Sequence, residues 1–201
     1  MYWKNSIDLS IETYSKKSHW LHHWRGHKGS LEIYRVLWEP DIHERHESWN
    51  LLWLLNTRVN LPWLCASDFN EILRSSEKEC GSSWSQAQMQ IYREAIDKCG
   101  FLDLGFTGSQ FTWQKHFVAG HSVWEMLDHG FVTNDWLLQF VESKVHHLSC
   151  NTSDHSPLWM VPRNWNLFVS LNHSTLKKCG SLTEDVLKQW KPCGLVLTMM
   201  V

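Results

Sequence analysis

No Cys-x-x-Cys pair occurs among the six cysteines Cys65, Cys80, Cys99, Cys150, Cys179 and Cys193. That spacing argues against the common zinc and dithiol arrangements, and free thiols in a reducing compartment are expected. The first residues lack a basic start followed by an apolar block, so no secretory signal is read there. An intracellular location, the nucleus included, is the expectation. No apolar run reaches the roughly 20 residues of a membrane-crossing helix, which removes the bilayer as a partner. Nor is there a surplus of positive charge: the formal net charge of -2 argues against a broad basic surface and confines any nucleic-acid binding to a local patch.

What is present is apolar and aromatic. A chain of 201 residues, 43% hydrophobic, can bury one core of ordinary size and is expected to form a single domain. Fourteen tryptophans exceed what one small core can bury, and Trp20, Trp24, Trp38, Trp53 and Trp84 stand beside charged or turn residues. The thirteen histidines add charge only in mildly acidic solution.

The rest is arranged around Leu61 to Leu73, where a short apolar run breaks off at Ser67-Asp68-Phe69-Asn70. The run reads as a buried strand over 62–67. Asp68 and Asn70, two residues apart at its end, would present a carboxylate and a carboxamide on one face. An Asx turn closing the strand is the structural alternative.

The period-two alternation of Ile7, Leu9 and Ile11 predicts a strand within 1–14. Residues 15–30, rich in histidine and aromatics without a clean period and broken by Gly26 and Gly29, read as a solvated loop. His23 and His27 carry the four-residue spacing of metal ligands on a helix, but no further ligand accompanies them. A helix is expected over 43–56, with Trp49, Leu52 and Trp53 on its apolar side and Asp41 as a cap. Residues 75–84 form a loop. The clearest helix is 85–99, packing through Met89, Tyr92, Ala95 and Ile96 and stopped by Gly100. Short strands are expected at 101–105 and 110–113, a longer one at 123–131, a helix at 134–140, and strands at 143–148 and 157–161. A buried Phe111 and Trp113 flanking an outward Thr112 is one of two equal accounts of that triplet, a binding role being the other. Beyond residue 162 there is a weak helix near 182–190 and an uncharged apolar end that packs or promotes self-association.

Three motifs occur in order: Ser67-Asp68-Phe69-Asn70, Met126-Leu127-Asp128-His129 and Ser153-Asp154-His155-Ser156-Pro157. The chain thereby resembles the endonuclease domain of plant non-LTR (LINE-type) retrotransposons, in the endonuclease/exonuclease/phosphatase superfamily. The resemblance covers 1–162 and implies an α/β fold, a four-layer sandwich of two face-to-face β-sheets flanked by helices. Residues 163–201 would be a divergent tail. The family's opening Asn and metal-binding Glu motifs are not found, so an N-terminally truncated copy with an incomplete sandwich is expected.

The resemblance also implies a magnesium-dependent phosphodiester hydrolase acting on DNA. Asp68 would activate water, Asn70 hold it with a phosphate oxygen, Asp128 orient His155, and His155 donate to the phosphate. Asp154 would assist the metal, and Thr112 and Trp113 would approach the nucleic acid. Met126 and His129 stand where the family carries arginines, and Leu37-Trp38 replaces a Tyr-Gly. A degraded enzyme with weak or no cleavage is therefore expected. The alternatives are an active nuclease or phosphatase with a substitute ligand from Glu12, Glu32 or Glu39, and a non-catalytic interaction module.

Overall fold

The computed structural model describes residues 8–13, 20–26, 29–35, 45–58, 61–118, 120–150 and 153–161, the first three segments by their backbone alone. A six-stranded sheet is built in the order β1 (Asp8–Thr13), β2 (Trp20–Gly26), β3 (Gly29–Arg35), β4 (Trp63–Asp68), β10 (Asp128–Val132) and β6 (Leu102–Asp103). Two three-stranded sheets accompany it. One joins β12 (Leu158–Val161), β11 (Lys144–His147) and β7 (Phe106–Gly108); the other joins β5 (Lys78–Glu79), β9 (Ser122–Glu125) and β8 (Trp113–His116). The helices are α1 (Arg45–Arg58), α2 (Gln86–Lys98) and α3 (Asn134–Gln139).

Strand alternation explains how these layers stack. In β4 and β10 the register partners are Asp68↔Asp128, Ser67↔His129, Ala66↔Gly130, Cys65↔Phe131 and Leu64↔Val132, and cross-strand partners share a face. The Trp63, Cys65 and Phe131 face packs under the helices, in one core with Leu52 and Leu55 of α1 and Tyr92 and Ile96 of α2. The opposite face carries the small pair Ala66 and Gly130. A Cβ on Gly130 would stand 2.7 Å from Val145 Cγ2 and 3.1 Å from Met160 Cε, so β11 and β12 pack directly on this face. The result is an α/β sandwich with helices outside one sheet and a second sheet layer against its other face.

Several expectations change in detail. Within the loop expected over 15–30, Trp20–Gly26 is a strand paired antiparallel with Gly29–Arg35, Gly26 opposite Gly29, and His23 lies on a strand, not a helical face. The run Trp20-Leu21-His22-His23-Trp24 does not alternate polar with apolar residues, which hides the strand period. The expected strand over 123–131 is two strands in different sheets. The chain crosses between sheets at Met126-Leu127, where the Thr112 hydroxyl accepts the backbone N–H of Leu127 and of Asp128, each at 3.0 Å. Thr112 is thus buried, with Phe111 and Trp113 half-buried beside it, the reverse of an outward Thr112 between buried neighbours. The strand expected at 110–113 starts only at Trp113 and runs to His116, and that at 101–105 is reduced to Leu102–Asp103.

Helix α1 buries Ser48, Leu52 and Leu55, whereas Trp53 is exposed with the Lys98 ammonium 4.4 Å from its ring. Helix α2 follows the expected face, burying Met89, Tyr92 and Ile96, and Gly100 stops it at φ +65°. Cys65, Cys80 and Cys99 are free, but Cys150 is disulfide-bonded, against the free-thiol expectation. Among the described residues no helix is long and apolar enough to cross a membrane. The cap at Asp41, His27, Glu39 and the tail 163–201 lie outside the described residues.

Candidate active site

The two central strands end on a pair of acids. Asp68 and Asp128 are the last register partners of β4 and β10, and both face the second sheet layer. Like charges set opposite one another repel, and burial adds to the cost. Removal from water, then the Asp128 charge, raise the Asp68 carboxyl from 3.8 to about 6.

His155 joins them from the other side. Its loop is stitched to the 112–114 segment by Gln114 N–H to the Asp154 carbonyl (2.9 Å), Ser156 N–H to the Thr112 carbonyl (2.6 Å) and an isolated bridge between Trp113 and His155. The Ser153 hydroxyl accepts the His155 N–H at 3.2 Å. So held, His155 donates Nδ1–H to Asp128 Oδ2 at 3.0 Å, and its Nε2 stands 3.8 Å from Asp68 Oδ2. Burial alone would lower the imidazole pKa. The hydrogen bond to Asp128, with the charges of Asp128, Asp68 and Asp154, outweighs burial and raises it. An imidazolium between two carboxylates is the state this arrangement favours.

Asn70 closes the row. Asp68 Oδ1 accepts the Asn70 backbone N–H at 2.9 Å and Oδ2 accepts its Nδ2–H at 3.1 Å, with Asn70 at φ +51°. This is the Asx turn foreseen as the structural alternative, and it also fixes the carboxamide against the carboxylate. Behind it, Glu71 is buried and bonded to Arg45 Nη1 (2.6 Å) and to Gln88 Nε2 (2.9 and 3.1 Å), tying the turn to α1 and α2. Nothing in the sequence pattern flagged that pin, because its partners are 26 and 17 residues from it.

Asp68, Asn70, Asp128 and His155 therefore converge. Asp154 does not join them: it is exposed, and its Oδ2 accepts Trp113 Nε1–H at 3.3 Å. Thr112 serves the backbone crossing described above. His129, adjacent to Asp128, points to the helix side, buried and stacked on Phe131, so a cation at this position would not face the carboxylate pair.

Asp68, Asp128 and His155 each bring a donor atom within 4.8 Å of the others. Magnesium, however, prefers a full shell of oxygens in octahedral array. Here His155 already fills the space between the carboxylates, and the Asp68 oxygens are taken up by Asn70. The described residues do not fit magnesium. Sheet register removes two substitutes as well: Glu32 is level with Trp63, five residues short of Asp68 and about 17 Å from it. Glu12 is level with Cys65 three strands across, about 14 Å to the side.

The Asp–His–Asp row thus stands at the ends of the central strands of an α/β sandwich, on the face between its two sheet layers. Among solved structures, the chain is similar to the endonuclease domain of TRAS1, a telomere-specific non-LTR retrotransposon, with a TM-score of 0.55 and 12% identity over 75% of this chain and 67% of that one. It is also similar to beta toxin from Staphylococcus aureus, with a TM-score of 0.53 and 13% identity over 73% of this chain and 57% of the toxin. The likeness is one of fold. The sequence matches no family model and no curated protein.

Proposed function

We propose that this chain is a phosphodiester-hydrolase scaffold of the plant retrotransposon-endonuclease kind, directed at DNA and carrying weak or no cleavage activity. The observation that carries the reading is the row Asn70–Asp68–His155–Asp128, assembled from three separated segments on the face between the sheets. Polar groups that converge so, with shifted proton affinities, are characteristic of reaction centres.

In the chemistry this row supports, Asp68, with its pKa near 6, is largely ionised at neutral pH and able to take a proton from an attacking water. Asn70 would turn its amide from Asp68 to a non-bridging phosphate oxygen. His155, charged and oriented by Asp128, would donate to the phosphate as negative charge develops. What is weak is the supply of positive charge. Magnesium, implied by the family resemblance, finds no oxygen shell among the described residues, and Met126, at a position where the family has arginine, is buried. Losing one well-placed electrostatic donor costs on the order of a hundredfold in rate.

Plasmid nicking in magnesium tests this, with the chain set beside an Asp68→Ala/His155→Ala double variant. Nicking no faster than the double variant, or only slightly faster, is expected. Rapid nicking that disappears in the double variant would establish a competent nuclease instead.

A further inference from the structure

Next to the catalytic row, but outside it, lies a cavity of about 390 Å³ whose walls include Phe111, Trp113 and Trp124 together with the carboxylates of Glu79 and Asp154. None of Asp68, Asn70, Asp128 or His155 lines it. We propose that this cavity is a binding site for a small alkylammonium cation.

Three features point to that chemistry. Aromatic faces attract cations through their ring quadrupoles, tryptophan most strongly, and here two tryptophans and a phenylalanine are among the residues lining one concavity. Two acidic residues complete the wall, and among the described residues no Lys, Arg or His lines it, so the described wall is negative. An anion such as a phosphate is repelled from such a wall; an ammonium group is attracted. The wall is also held in shape. The Trp113 indole N–H bonds Asp154 Oδ2 at 3.3 Å, and Glu79 is the register partner of Trp124 across β5 and β9. Each carboxylate is therefore delivered beside an indole. The volume falls within the roughly 300–1,000 Å³ of small-molecule sites.

The inference stands apart from the hydrolase reading, because occupancy is measured without catalysis. Choline is the probe, and its neutral isostere 3,3-dimethylbutan-1-ol is the control, followed on the whole chain by saturation-transfer NMR of the methyl signals. Choline should saturate the site in the millimolar range, and the alcohol should bind about tenfold or more weakly, since only the charge differs. Glu79→Gln should weaken choline about threefold and leave the alcohol unchanged, while Trp124→Leu should weaken both. Glu79 is exposed, so its variant tests the charge without disturbing the fold. Equal binding of choline and the alcohol would overturn the proposal. So would the absence of saturable choline binding, or preferential binding of guanosine monophosphate, which would make the cavity a nucleobase site.

Discussion

At the scale of single residues, the acid pair governs how the protein responds to pH. Asp68 has its folded-state pKa raised to about 6, so the stability it contributes is present below its unfolded value near 3.8 and is lost as pH rises through 6. Asp68→Asn keeps an oxygen to accept the Asn70 N–H and removes the charge that faces Asp128. The variant should therefore be more stable than the parent by about 2 kcal/mol at pH 8, and the difference should vanish toward pH 4 in urea titrations. His155 is also raised, and the stability of its charged form is fully present below about pH 6.5 and declines as pH climbs through the folded value. His155→Gln leaves two buried carboxylates without their shared cation. A loss of about 3 kcal/mol at pH 6, shrinking by pH 9, is expected. Equal losses at both pH values would show that His155 is held there as a neutral ring.

At the scale of elements, the small pair Ala66 and Gly130 sets how closely β11 and β12 approach the central strands. Gly130→Ala drives a methyl into Val145 and Met160 and should cost about 1–3 kcal/mol. Val145→Ala added to it should recover part of that loss, a non-additivity measurable in a double-mutant cycle. The same elements show what could be read in advance. Strand β4, helix α2 and the three motif stretches were legible because their apolar spacing is local and their ends are marked by Asp68, Gly100 and the Ser-Asp-His turn. The break between β9 and β10 was not: residues 123–131 read as one strand, and the groups that hold the chain at the crossing are distant in sequence, the Thr112 hydroxyl and the Glu77 carbonyl among them. The pairing of β2 with β3 was hidden because Trp20-Leu21-His22-His23-Trp24 shows no alternation of polar and apolar residues. Of the apolar side expected for α1, Leu52 is buried and Trp49 packs on the core, and only Trp53 lies outward, with the Lys98 ammonium over its ring. At the candidate site, motif order singled out 68, 70, 128 and 155, and the fold brings these four together. The turning away of Asp154 was not legible, since it depends on where Trp113 lies.

At the scale of the whole molecule, charge decides how well this scaffold can hold a polyanion. The formal net charge is -2, and affinity for duplex DNA rests largely on cations that neutralise phosphates and release counterions. Many of the described cations are engaged elsewhere. Arg45 is bonded to Glu71, Lys78 to Glu125, and Arg93 to the Leu73 carbonyl, while Lys98 and Lys115 lie over the rings of Trp53 and Phe117. Within the candidate row the His155 charge is taken up by Asp128 and Asp68, and the Arg45 charge felt by Asp68 is paired with Glu71. The described wall of the cavity beside the row is negative as well. A protein contacting six to ten phosphates loses about 10³–10⁵ in affinity between 50 and 200 mM salt, and one contacting one or two loses about tenfold or less. Fluorescence anisotropy with a labelled duplex should accordingly give weak binding, with a dissociation constant above about 10⁻⁵ M at 150 mM salt, and a shallow log–log salt slope between about 0 and -2. Lowering the pH from 8 to 6 charges histidines and should tighten binding modestly, by less than about tenfold. A steep slope near -6 or beyond at pH 8 would mean that an extended basic track, not a local contact, holds the nucleic acid.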